Sequence, residues 1–384
     1  MTNLINKLFE NLNEIDATYH QYLLNVLSSE TSNFRPAART SSSTIGTFGE
    51  KMIFNVGEYF PMVSTKPLAK KSMTTEMIMF MKGKADLKFL VDRKVPIWNG
   101  NGFDFYRKNL EEGNPLKELK KDTPEFNKAQ EEFINKIRND PEFSKDNNFL
   151  GRIYGVQWTD WKGPNGESIN QLENSINGLK NNPFSRYHIV TAWNPGEISK
   201  MSLPPCPMLN QFYHRVDENG ENKLDMTMYQ RSCDSLLGVP FNIAGEALKM
   251  NIVAMLTGHK PGKLIHNLGD AHIYCGVAER SDWYGENFNQ IKKDIAKVTS
   301  HKEFKEIKEY ILANAPKEPK GSEGSDHIPY VLEQLSRNGN HPLPQIYLEN
   351  KTIKEMDITD IIYKNYEPDK TPLKVNGLNP RMAV

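Results

Sequence analysis

The chain is poor in cysteine: three in 384 residues, at positions 206, 233 and 275. An odd number without regular spacing excludes a disulfide framework and fits a reducing compartment. Net charge is absent as well, since 48 basic side chains balance 48 acidic ones. That balance removes any global attraction for nucleic acid or an anionic membrane, although a local basic pocket is still allowed. No apolar run approaches the length needed to cross a bilayer, and the N-terminus does not read as a secretory leader. No internal repeat is visible. The chain therefore reads as a cytoplasmic protein with neither nucleic acid nor membrane as partner. Apolar residues reach only 38%, which at this length still suffices for a core.

Periodicity supplies the elements. Leu4, Leu8, Leu12, Ile15, Tyr19, Leu23 and Val26 recur at helical spacing and predict one amphipathic helix over 4–27. Residues 28–43, polar and serine-rich, predict a loop. Thr44 to Val56 predicts a strand, and 74–81 and 85–91 predict helices. A charged stretch over 99–148 reads as a solvated rim subdomain, with helix over 131–137. A helix is expected over 171–180, a strand over 187–192, and a turn at Trp193-Asn194-Pro195-Gly196. Glu218-Asn219-Gly220 between 211–216 and 223–229 is the strongest hairpin signal. An apolar helix over 241–256 ending at Gly258 and a strand over 263–274 follow. Residues 275–324 end in a Lys/Pro/Gly/Ser-rich linker.

Two stretches carry the chemistry. Leu203-Pro204-Pro205-Cys206 presents one thiol after a stiff Pro-Pro lead-in, and YQRSCDSLLGVPFN over 229–242 spaces an arginine, a serine, an aspartate and an asparagine through a Gly-Val-Pro turn. A cysteine attacks only as thiolate, which a nearby arginine favours. Alone, a lone intracellular cysteine is more often a small buried hydrophobe.

Together with Arg39-Thr40, Thr47-Phe48-Gly49, Glu76, Ile97-Trp98, Tyr154-Gly155, Gln157-Trp158, Gly269 to Tyr274 and Met382-Ala383-Val384, these stretches resemble thymidylate synthases and pyrimidine nucleotide hydroxymethylases. The resemblance runs over roughly residues 20 to 384. It implies an α/β (α+β) fold, one domain over 1–384 with a bent mixed sheet, and a homodimer through that sheet. The remaining segments are an N-terminal helical extension (1–20) and insertions near 99–148 and 275–324. It also implies dUMP as substrate and 5,10-methylenetetrahydrofolate as co-substrate, with no metal.

On this resemblance Cys206 is the nucleophile that adds across the pyrimidine C5–C6 bond. Cys233 and Cys275 lack its context and read as packing residues. Arg39, Arg231 and Ser232 would hold the phosphate, with Arg186 from the partner subunit and Gln230 beside them, because a planar guanidinium suits phosphate. Where a second arginine is expected after Arg186, the chain has Tyr187. Asn242 would read uracil by accepting from N3–H and donating to O4. His272 and Tyr274 would hold the sugar hydroxyl. Glu76 and Tyr154 would organise acid–base chemistry. Asp234 would accept from the pterin ring, walled by Ile97, Trp98, Leu203, Leu237, Gly238 and Phe241, with Val384 closing over it.

The exocyclic methylene then has two fates. Hydride gives thymidylate and dihydrofolate; water gives 5-hydroxymethyl-dUMP and tetrahydrofolate. The chain departs from the synthase pattern at Pro207 (histidine), Asn101 (tryptophan), Ser41-Ser42-Ser43 (a Gly-Thr-Gly loop) and Glu246 (tyrosine). A wetter pocket favours water, so a dUMP hydroxymethylase is the leading expectation. Such enzymes serve viruses of bacteria with modified bases, which would place it in host cytoplasm. A thymidylate synthase is the alternative, and a non-catalytic nucleotide- or RNA-binding homologue a remote one. Cys206→Ala separates the classes: an enzyme loses turnover while equilibrium dialysis still detects dUMP binding, whereas a binding module keeps its activity.

Overall fold

The alternating run that starts at Thr44 becomes one of six strands in the central sheet of the computed structural model, which describes residues 7–37, 41–121 and 123–381. The strands are β1 (Asn33–Arg35), β2 (Thr44–Asn55), the two-residue ribbon β3 (Trp161–Lys162) and β4 (Ser168–Ile169), β5 (Ile189–Thr191), β6 (Pro207–Val216), β7 (Asn222–Asp234) and β8 (Lys260–Tyr274). A second ribbon pairs β9 (Gln345–Leu348) with β10 (Ile361–Lys364). The central sheet runs β1-β2-β8-β7-β6-β5, antiparallel except for the parallel pair β7–β8. It is the mixed sheet expected. Register slips at 207–209 and 224–226 bend it.

Helices α1 (Glu14–Ser28) and α2 (Lys70–Met81) open the chain's helical layer, followed by α3 (Leu87–Asp92). The 99–148 stretch forms α4 (Asn99–Lys108), α5 (Pro115–Glu118), α6 (Pro124–Asn139) and α7 (Pro141–Asn147). Next come α8 (Tyr154–Thr159), α9 (Gln171–Asn181) and α10 (Gly238–Thr257). Parallel neighbours cannot be joined by a hairpin, so the chain crosses from β7 to β8 through α10. That helix is apolar nearly all round, is buried along most of its length, and ends at Gly258, whose φ of 73° suits a left-handed cap. Beyond β8 lie α11 (Ala278–Ile295), α12 (His301–Asn314) and α13 (Ile328–Leu335). Buried side chains from these helices and the sheet join one core. Among the described residues, no helix is long and apolar enough to cross a membrane.

Several expectations change. The helix predicted from Leu4 begins only at Glu14, because Asn13 caps it by accepting from the Asp16 amide at 2.9 Å. A 3-10 turn over Lys7–Phe9 precedes it, and Leu4 lies outside the described residues. The loop predicted over 28–43 contains β1, which pairs with β2. The turn at 193–196 leads into a 3-10 helix, Pro195–Lys200. The charged 99–148 stretch has an apolar seam of its own: Tyr106 stacks on Phe133 at 4.8 Å, and Phe103 meets Phe126 edge-on at 5.3 Å. Its helical span exceeds 131–137 because rings, not charges, set the packing.

The 275–324 segment is fastened by a buried ion pair. Arg280 Nε donates to Asp326 Oδ2 at 2.6 Å and Tyr284 donates to the same oxygen at 2.8 Å. Removing one partner strands the other charge in a dry interior. Asp326→Ala should therefore destabilise the protein by about 3–5 kcal/mol, read as a lower urea midpoint. An unchanged midpoint would mean that Arg280 finds water.

Candidate active site

The Pro-Pro lead-in holds its cysteine at the mouth of β6, half-buried. Arg231, on the neighbouring strand β7, donates from Nε to the Pro205 carbonyl at 2.9 Å and from Nη2 to the Pro204 carbonyl at 3.0 Å. Its Nη2 lies 4.0 Å from Cys206 Sγ. The two loop backbones are joined as well, Arg231 N donating to Cys206 O at 2.9 Å. A guanidinium at this range favours thiolate over thiol. Its plane also faces Trp193, 5.3 Å from the ring centroid. Cys233 and Cys275 are fully buried, and burial pushes both thiols up, as packing residues require.

Below the cysteine lies an aromatic floor. The Tyr154 hydroxyl accepts from the Cys206 amide at 2.9 Å, and its ring stacks on Phe80 at 4.7 Å. That stack needs α8 to approach α2 closely: a Cβ on Gly155 would lie 2.2 Å from the Phe80 carbonyl oxygen. Trp98, edge-on to Phe80, donates from Nε1 to Glu76 Oε1 at 2.6 Å. Burial raises the Glu76 carboxyl to about 7; the Trp98 bond pulls down and the charge of Glu246 adds to the rise. Glu76 thus titrates near neutrality, where an acid–base group is most useful.

On the other side of Cys206, Gln230 Nε2 donates to Asn242 Oδ1 at 3.0 Å, and Gln230 Oε1 meets His266 Nε2 at 2.9 Å. Burial lowers His266 to about 3, so it is neutral and donates this bond. Asn242 is inside α10, not at its start, and its amide oxygen accepts from Gln230 instead of capping backbone donors. Asp234 Oδ1 accepts from Leu236 N and Leu237 N, both at 3.1 Å, which sets the turn into α10. Leu237, Phe241, Ile97 and Leu203 pack half-buried against the core. Gly238 follows with its α-carbon close to Asp234, a Cβ there falling 3.4 Å from the Asp234 Cβ.

The β7–β8 register sets Ser232 beside Asp270 and Asp234 beside His272. His272 Nδ1 meets Asp270 Oδ1 at 3.0 Å, and Arg35 grips both Asp270 oxygens at 2.6 Å. Burial disfavours the Asp270 charge, but the His272 and Arg35 contacts hold its carboxyl well below the usual range. The Tyr274 ring stands edge-on to His272, centroids 5.1 Å apart. Arg186 is exposed, its carbonyl accepting from Gln211 at 3.3 Å. Arg39 and Val384 lie outside the described residues.

Some neighbours were not anticipated. Lys66 donates to the Leu236 carbonyl; burial lowers it to about 8 while the Asp234 charge works the other way. The sequence marks Trp193 only as part of a turn and Arg35 as loop. No spacing marks them; only the folded register brings them near. A cavity of about 400 Å³ flanked by Lys82, Lys84 and Arg93 shares no residue with this set. Among the described residues, no cluster of histidine, cysteine or carboxylate side chains could hold a metal ion.

The family profile described as thymidylate synthase matches residues 17–376. The chain is 34% identical over 350 residues to the thymidylate synthase of Listeria monocytogenes serotype 4a, covering 88% of this chain and 94% of that one. It is 41% identical over 246 residues to the thymidylate synthase of Mycoplasma pneumoniae, 64% of this chain and 77% of that one. With the Mycoplasma genitalium thymidylate synthase it shares 42% over 237 residues, 62% and 74%.

The raised Glu76 has a stability signature. An acid whose folded titration point exceeds its unfolded one stabilises the fold below the unfolded value, and this is lost as pH rises through the folded one. Between about 4.5 and 7 the carboxyl therefore becomes a liability. Glu76→Gln, whose amide oxygen can still accept from Trp98, should be neutral at pH 4 and stabilising by on the order of 2 kcal/mol at pH 8. Denaturant melts at the two pH values check this; equal differences at both would show that Glu76 is not neutral when folded.

Proposed function

The chain belongs to the thymidylate synthase family, and from that premise we propose that it transfers a one-carbon unit to C5 of dUMP through a covalent adduct on Cys206. The observation that carries the proposal is the Arg231 guanidinium beside the Cys206 sulfur, with the Tyr154 hydroxyl on the Cys206 amide. Thiolate addition at C6 makes C5 nucleophilic. Arg231, Ser232 and Arg39 hold the phosphate, Gln230 orients Asn242 against the uracil edge, and His272 with Tyr274 holds the sugar. Glu76, able to gain or lose a proton near neutrality, works with Tyr154 on the proton leaving C5.

The co-substrate is 5,10-methylenetetrahydrofolate, which supplies the one-carbon unit when bound. The residues present fit a flat heteroaromatic ring with N–H donors: a carboxylate at Asp234 and half-buried apolar side chains at Ile97, Leu203, Leu237 and Phe241, with Trp98 behind them. The open face of the sheet exposes Tyr213 and Tyr229 and supports a homodimer through it, Arg186 reaching the partner's phosphate site. Tyr187, 89% exposed, follows it where the clamp would otherwise have a second cation.

For the methylene, the relatives named thymidylate synthase favour reduction to thymidylate over the hydration expected from sequence. Hydration stands as a second reading on two observations: Pro207 at the start of β6, and polar Asn101 in the first turn of α4, three residues after Trp98. One incubation with dUMP and methylenetetrahydrofolate decides, with nucleotides identified by mass and dihydrofolate followed by absorbance. Thymidylate with matching dihydrofolate is the expected result; a product one oxygen heavier, without dihydrofolate, establishes the hydroxymethylase. No nucleotide product would overturn both.

A further inference from the structure

Glu246, the departure from the family pattern on α10, does not stand alone. Its Oε2 accepts from Asn210 Nδ2 at 2.7 Å and from Lys249 Nζ at 2.6 Å, and Lys249 Nζ also donates to Asn210 Oδ1 at 2.6 Å. The three close a triangle in the protein interior, with the lysine side chain fully buried and the glutamate nearly so. Lys249 Nζ lies 3.9 Å over the Trp158 ring, and Trp158 stands edge-on to both Tyr154 and Phe80. The triangle therefore underlies the floor that carries Tyr154 and, through Phe80 and Trp98, Glu76. Helix α10 meets α2 at Gly245, which faces Met77, the residue after Glu76, and Met73, one turn before it.

A buried ion pair adds little to stability that apolar residues of equal volume would not supply. Its place beneath a proton-transfer group gives it another use. We propose that Glu246, compensated by Lys249 and Asn210, is a positioning residue for Glu76: its carboxylate sets how firmly Glu76 holds a proton at neutral pH. Besides Glu246, the titratable group facing Glu76 is Tyr154 from α8; Lys249 is paired with Glu246, and Asp357 and Asp360 face Lys82 at the far end of α2. The charge of Glu246 is among the causes that raise Glu76, after burial.

Only the role of Glu76 in turnover rests on the proposed function; its titration does not. The test is an infrared titration of the ligand-free protein, with the Glu76 carboxyl band assigned by its loss in Glu76→Gln. Removing the Glu246 charge should move that band's midpoint down by about one pH unit in E246Q, which leaves the Lys249 cation unmatched, and by less, in the same direction, in E246Q/K249M, which removes both charges. E246Q keeps an acceptor for Asn210 and serves if the double variant does not fold. The acid limb of C5-hydrogen release from dUMP should move by the same amount. A lower Tm with an unmoved band in a folded variant would overturn the proposal, because a merely structural pair predicts that. A shifted band without C5-hydrogen release in the native protein would support the proposal and count against the proposed function.

Discussion

The parallel pairing of β7 with β8 is the constraint from which the site follows. Two strands running the same way need a long return path, and α10 provides it. Along the shared register, Ser232 and Asp234 meet Asp270 and His272. The return helix begins at the turn that Asp234 holds and carries Asn242 inward. One topological choice thus brings Ser232, Asp234, Asn242, Asp270 and His272 to one end of the sheet. The cysteine arrives just before β6, the antiparallel neighbour, and its lead-in is tied back to β7 by Arg231.

Charge is handled differently on the two flanks of that cysteine. On one, polar groups are bonded to one another: Gln230 bridges His266 and Asn242, and Asp270 bridges His272 and Arg35. Every bond there fixes an orientation and costs little once made. On the other, aromatic rings exclude water around Glu76, so its carboxyl is raised and sensitive to any other charge nearby. Orientation is therefore assigned to the sheet, and proton affinity to the helical layer.

Much of this was legible in the sequence. The strands at 44 and 263, the hairpin at 218–220 and the helix ending at Gly258 all carry local signals that the fold obeys. Missing from the string were long-range contacts. Arg35 looked like loop because a three-residue strand has too few residues to show alternation. Lys66 sits within no periodic pattern, and its proximity to Asp234 exists only once α10 has returned. Charge-rich composition over 99–148 hid the ring contacts that fold it, since exposed lysines outnumber the buried phenylalanines.

Helix α1 has a part in this as well. Tyr19 donates to the Ser235 carbonyl at 2.6 Å, and the Tyr22 hydroxyl meets Ser235 Oγ at 2.7 Å. Ser235 follows Asp234, so the first long helix is bolted to the turn that the Asp234 carboxylate holds. Loosening of α1, whether by warming or by a perturbing fusion, is therefore transmitted to the Asp234 turn, more than two hundred positions away in the chain. Under the proposed function, ligand affinity becomes a gauge of how firmly α1 is docked, and bound ligand in turn tightens that docking.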